Sequence, residues 1–203
     1  QQQPQPLELQ TGGTTLVLQD AQGTELDRAQ LAAAPQLRSS WTREREADPT
    51  SGFVDHAAAA SGRLFSPGTT SAAKPFARAA NAPTGIPAPA DLVINEVLLA
   101  PPASFLGDAN GDGETNDKED EFVELVNGSG HPLKLGGCRL LVDGVERHRF
   151  PDGAILPGGM ALVLFGVDDP AHPPQPAGPF GGTAFLPDQS TALRAATVVI
   201  APG

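Results

Sequence analysis

The amino-acid sequence predicts an all-β chain, a sandwich or barrel of short strands, on three observations. Gly and Pro are abundant (23 and 21 of 203 residues) while only 18% of residues are charged. That balance suits loop-rich β structure and leaves few of the charge pairs that support long helices. Short runs of β-branched and apolar residues recur with turn residues between them. No segment carries a convincing helical period. The hydrophobic share of 39% is too high for a wholly disordered chain, and a chain of this length can build one good core or two small ones.

Taken in order, residues 1–6 are a Gln/Pro tail without a signal peptide and read as a mature or trimmed end. Thr14–Gln19 (TTLVLQ) reads as a strand. Residues 20–23 (DAQG) form a turn in which Gly23 can take positive φ, and residues 24–30 return as a weaker hairpin partner. Residues 31–80 read as irregular and hold Trp41, Phe53, Phe65 and Phe76. Residues 78–91 are a Pro/Ala-rich linker whose prolines favour extended backbone. This sharp change of composition divides the chain into a first part, 1–77, and a second, 92–203.

The second part carries clearer strands. Residues 92–99 (LVINEVLL) read as a mostly buried strand with a polar interruption at Asn95 and Glu96. Residues 121–127 alternate, with Phe122, Glu124 and Val126 facing opposite to Glu121, Val123 and Leu125. Residues 138–143 and 145–150 form a hairpin across Asp143-Gly144. Residues 160–165 (MALVLF) follow the turn Pro157-Gly158-Gly159 as another buried strand, and residues 197–201 are a candidate last one.

Charge narrows the function. The net charge is −11, and the most concentrated basic group, Arg38, Arg43 and Arg45, is interleaved with Glu44 and Glu46. It reads as a solvated face, so no nucleic-acid partner is expected. The single cysteine, Cys138, allows no internal disulfide and reads as a buried, inert thiol. No apolar run approaches the ~18 residues of a membrane span. His56, His131, His148 and His172 lack metal-ligand spacing, and neither a nucleophile elbow nor a phosphate-cradling Gly-rich loop is present. Glu96, Glu121 and Glu124 could form a carboxylate group, but no second feature suggests a substrate cleft. They read as structural strand residues or outer calcium ligands, and the chain is not expected to be an enzyme. Asn127-Gly128-Ser129 is a formal glycosylation sequon.

The strongest motif starts at Asp108. Asp108, Asn110, Asp112, Gly113 and Glu119 match D-x-[DN]-x-[DN]-G-x5-E. In such a loop Asp108, Asn110 and Asp112 place oxygens on one side of a tight coil and Gly113 allows the sharp turn. Glu114 offers its carbonyl, Asn116 a side chain or a water, and Glu119 closes the shell as a bidentate ligand. Hard oxygen ligands in this number favour Ca²⁺ over Mg²⁺ or Zn²⁺. The flanks are not helices, since Pro101-Pro102 precedes the loop and a strand follows, and Thr115 stands where a paired EF-hand has an aliphatic residue. The motif therefore reads as an EF-hand-like calcium loop inserted between strands. Asp117, Asp120 and Glu121 add charge that repels without metal.

Residues 92–97 (LVINEV), 108–113 (DANGDG) and 120–127 (DEFVELVN) resemble the opening of bacterial lamin-tail domains. Residues 132–140, then Phe150-Pro151-Asp152-Gly153 and residues 156–165, resemble that family's next segments, with Cys138 where the family usually has Trp. The resemblance spans about residues 92–182 and implies an immunoglobulin-like β-sandwich without catalytic residues. In the first part, residues 13–23, 42–54 and 62–69 resemble the same domain's second half. The chain thus reads as the C-terminal half of one sandwich (1–77), a linker (78–91) and the N-terminal half of another (92–203).

Three arrangements follow. The halves can close within one chain as a circular permutant. They can instead pair with the next subunit, head to tail, through bare strand edges, or the chain can be a fragment of a tandem array. The leading expectation is an extracellular or cell-surface structural protein, stabilised by Ca²⁺ and assembled from copies of itself by exchange of half-domains. The alternative is a monomeric permuted module that tethers or recognises a secreted or cell-surface protein or a glycan.

Overall fold

The computed structural model describes residues 7–77, 79 and 83–166, and the backbone of residues 183–185. The fold is nearly all β. Its strands are β1 (Thr14–Gln19), β2 (Glu25–Leu31), β3 (Trp41–Arg43), β4 (Phe53–Asp55), β5 (Leu92–Leu98), β6 (Phe122–Asn127), β7 (Leu133–Lys134), β8 (Arg139–Val142), β9 (Val145–Arg149), β10 (Ile155–Leu156), β11 (Ala161–Phe165) and β12 (Thr183–Phe185). One short helix, α1 (His56–Ala59), follows β4, and a 3-10 turn spans Phe105–Gly107. The candidate strand at 197–201 lies outside the described residues.

Two main sheets share one core. The four-stranded sheet runs β2-β1-β8-β9 and the six-stranded sheet β12-β11-β6-β5-β3-β4; a two-stranded piece pairs β10 with β7. All pairs are antiparallel except β11 with β12. Leu16, Leu18, Leu140 and Val142 from the four-stranded sheet meet Ile94, Val97, Val123, Leu125, Leu162 and Leu164 from the six-stranded sheet. The alternation of side chains along each strand produces this inner layer.

The strands anticipated from the sequence at 14–19, 92–99 and 121–127 form within a residue of those bounds. The Asp143-Gly144 turn has positive φ at both residues, 48° and 82°, the geometry that suits the right-handed twist of a two-residue hairpin. Within 31–80, read as irregular, the structure forms β3 and β4. Three-residue strands carry no periodic signal, and both exist because β5 offers an edge to β3.

The first and second parts of the chain interleave. β1 lies between β2 and β8, with Leu16 opposite Val142 and Leu18 opposite Leu140. β3 lies between β4 and β5, with Trp41 opposite Val97 and Thr42 opposite Glu96. The connecting residues are tied down in passing: Gly85 donates to the Pro132 carbonyl and accepts from Lys134, and Ala90 donates to Leu26.

A buried ion pair clamps this seam. Arg43 Nη2 lies 2.9 Å from Asp27 Oδ2, both side chains almost fully buried. The same guanidinium donates to the carbonyls of Ile94, Pro49 and Ser51 and stacks 4.3 Å over the Phe53 ring. Asp27 also accepts the Ile94 amide. Burial lifts the Asp27 carboxyl even beside this cation. The basic group read as a solvated face therefore splits: Arg45 is exposed and pairs with Asp48, whereas Arg43 is a core residue. Alternating signs in sequence cannot distinguish a solvated arginine from one whose donors are all used internally.

Removing one partner of such a pair leaves an uncompensated buried charge. Asp27→Ala should lower unfolding free energy by about 3–5 kcal/mol, measured as a reduced denaturant midpoint.

Candidate functional site

The calcium-type loop lies between β5 and β6, entered through the 3-10 turn. Gly107 packs so closely on the Pro102 carbonyl that a Cβ there would overlap it. Asp108 Oδ2 accepts the Gly113 amide at 3.1 Å, Asn110 Oδ1 the Asp112 amide at 2.9 Å and Asp112 Oδ1 the Glu114 amide at 2.8 Å. These side chain-to-backbone turns coil the loop, and Gly111 and Gly113 supply its positive φ values.

Asp120 is the hub of the loop, and the ligand pattern did not single it out. Its Oδ1 accepts the amides of Ala109 (2.7 Å) and Asn110 (3.2 Å), and its Oδ2 accepts that of Asn116 (2.8 Å). Burial, aided by the nearby Asp108, pushes its carboxyl up to about 6.

The structure draws Asp108, Asn110 and Asp112 into one turn, while Glu114 and Asn116 are exposed and Glu119 is half-buried. Asn110 Nδ2 donates to Asp112 Oδ2 at 2.9 Å. Among the described residues, no three Asp, Glu, His or Cys side chains converge on one point. The donor set nevertheless suits a hard cation in one respect: Asp108 Oδ1 is buried without a hydrogen-bond partner, and a buried acceptor of this kind calls for an ion or a water.

A second polar cluster covers the outer face of the six-stranded sheet. A bulge at Asn95 interrupts the β5–β6 register, so Glu96 falls directly opposite Glu124. Bulges re-aim side chains in this way. Glu96 accepts from Ser40 Oγ (2.6 Å), the Ser66 amide (2.8 Å) and Ser66 Oγ (2.8 Å). Glu124 accepts from the Gly68 amide (2.6 Å) and Asn95 Nδ2 (2.8 Å). Asn95 Nδ2 also reaches Glu46 Oε2 at 2.7 Å, and Glu46 Oε1 accepts the Ser71 amide at 2.6 Å. Asn95 Oδ1 accepts the amide of Ala47, which is held at φ 57°.

Burial pushes the Glu96 carboxyl up to about 7 and Glu124, which also faces Glu96, well above its ordinary value. Beside these carboxylates, Phe65, Leu98, Ala109, Phe122, Val163 and Phe165 form a small second core. Glu121 stands apart, accepting the Leu9 amide at 3.2 Å, and burial raises its carboxyl to about 8. Glu96 and Glu124 are thus structural strand residues that meet each other, and Glu121 belongs to a different contact.

Other sequence candidates resolve simply. Cys138 is buried, and burial pushes its thiol up to about 11, surroundings that suit a structural cysteine and disfavour the thiolate. Asn127 of the sequon is fully buried and bonds the carbonyls of His131 and Leu156, the Ser129 amide and the Ser129 hydroxyl. It has no face to offer a glycan. Compared with known proteins, the chain matches no family model, no curated protein and no solved structure.

Two predictions follow from these surroundings. Asp120→Ala frees three amides at once and should cost about 1–3 kcal/mol, visible as a lower melting temperature. His56 and His148 are buried, which lowers them to about 4 and about 3. The unfolded chain therefore binds their protons first, and their contribution, whole above pH 6.5, is lost as pH falls. The melting temperature of His148→Phe relative to wild type should rise steadily from pH 6.5 toward 4.

Proposed function

We propose that the chain is a non-catalytic, calcium-stabilised module of the lamin-tail, immunoglobulin-like type, acting outside the cell or at its surface. In this reading the two halves of its sandwich stand in permuted order and close on each other within one chain. The observation that carries it is the interleaving of parts: β1 between β2 and β8, and β3 between β4 and β5. The motif order read from the sequence asks for these partners. A module of this kind works by holding or recognising others. Two open clefts of about 340 and 330 Å³ offer room for a ligand, one beside Lys134 and Ile155 and one beside Trp41 and Phe53.

Calcium enters through Asp108, Asn110, Asp112, the Glu114 carbonyl, Asn116 and Glu119. A bound Ca²⁺ would offset the mutual repulsion of the loop's carboxylates and fix their turns. The orphaned Asp108 Oδ1 supports this assignment. For the chain's own residues, the consequence is rotation of Asp112 away from the Asn110 amide so that its oxygen faces the same point as Asp108.

A second reading keeps the same strand contacts but makes them between subunits. The seam is built from few strand pairs, β1 with β8 and β3 with β5, and these serve equally well in trans. Exchange of that kind is head to tail and builds a fibre unless the rotation closes.

Light scattering with calcium and with chelator separates the two. A constant monomer mass is expected; large or growing assemblies would overturn closure within one chain and favour the fibre. Calcium should also raise the melting temperature, by about 2.7 kcal/mol of stability at 100 times Kd. Asp108→Ala with Asp112→Ala should abolish that rise. If calcium leaves wild-type melting unchanged, the calcium assignment falls.

A further inference from the structure

Glu96 and Glu124 face each other across adjacent antiparallel strands, and both are at most 1% exposed. Like charges directly opposite each other repel, and among the described residues neither carboxylate has a lysine or arginine in contact. Glu46 approaches the pair through the shared Asn95 amide and adds to the repulsion. His56 points into the cluster from α1, fully buried, with neither ring nitrogen hydrogen-bonded and Nδ1 3.7 Å from Glu96 Oε2. Burial and the charge of Arg63, against a smaller pull from Asp55, keep that ring neutral. Among the described residues, no group packed on the pair thus supplies positive charge.

Donor count then divides the roles. Glu96 receives three donors and Glu124 two, and hydrogen bonds to a carboxylate favour its ionised form. The segment supplying Ser66, Gly68 and Ser71 comes from the first part of the chain, while Asn95, Glu96 and Glu124 come from the second.

We propose that Glu96 and Glu124 form a proton-dependent clasp, with Glu124 holding its proton more tightly than Glu96, that fastens residues 64–71 across the outer face of the six-stranded sheet. Loss of that proton sets two charges against each other in a buried layer. They regain water only if the segment lifts. The contribution is therefore whole below the ordinary carboxyl range near 4.5, and it is lost as pH rises through the raised values of the pair. The outer cover, and with it part of the seam between the two parts of the chain, is firmest in mildly acidic surroundings.

Amide hydrogen exchange over pH 5–9, corrected for intrinsic base catalysis, tests the clasp. Opening at Ser66 and Gly68 should rise at least about tenfold per pH unit while opening releases a proton from the pair. Glu124→Gln and Glu96→Gln each remove the repulsion. Burial still holds the remaining carboxyl up, so both should reduce this pH dependence without abolishing it, even though Gln cannot accept every donor and stability falls by a constant amount. An unchanged slope in either folded variant overturns the proposal. If neither variant folds, wild type alone decides it: opening at Gly68 that does not change with pH overturns it, and a rise of about tenfold per pH unit sustains it.

Discussion

The architecture depends on the pairing of two strand edges. β5 and β8 are internal to their sheets only because β3 and β1 lie against them. Without the first part of the chain, both would present rows of unpaired backbone groups, which in a sheet either find a partner or attract one. The long-range pairing in turn decides where everything else sits. Arg43 reaches Asp27 and the Ile94 carbonyl only because β3 lies beside β5 and β2 lies over the seam.

A second constraint is the burial of the six-stranded sheet on both faces. Its inner face is apolar and meets the four-stranded sheet in the usual way. Its outer face mixes Phe122, Phe165 and Leu98 with Glu96, Glu124 and Asn95, and such polar groups cannot be buried unbonded. The chain meets that demand with backbone amides and serine hydroxyls from residues 40–71. The outer cover is held by charge-assisted hydrogen bonds, and only at one end by aromatic packing, where Phe65 meets Phe122 edge-on at 6.4 Å.

The loop between β5 and β6 belongs to the same end of the structure as this cover. Asp120 organises its backbone and Ala109 packs into the second core, so the loop is anchored to the sheet independently of whatever its outward oxygens bind. In the EF-hand pattern it is the spacing of oxygens that is informative; the anchoring carboxylate, one residue beyond Glu119, is invisible to it.

Local chemistry made much of the chain legible from sequence. The strand of residues 14–19, the Asp143-Gly144 hairpin, the buried strands around residues 92–99 and 160–165, and the inert Cys138 all follow from alternation, turn residues and apolar context, which act over a few residues. The all-β class follows from the same signals. What only the tertiary structure decided lies at long range. It turned Arg43 from a presumed surface charge into a buried clamp, made strands of residues 41–43 and 53–55, and set Glu96 opposite Glu124 through a bulge at Asn95. It also closed the sequon by burying Asn127. In each case at least one deciding partner lies well beyond the residue's immediate neighbours: Asp27 for Arg43, β5 for residues 41–43, Glu124 for Glu96 and Leu156 for Asn127. A charge or amide records in sequence only that it must be satisfied, and the fold determines by which group.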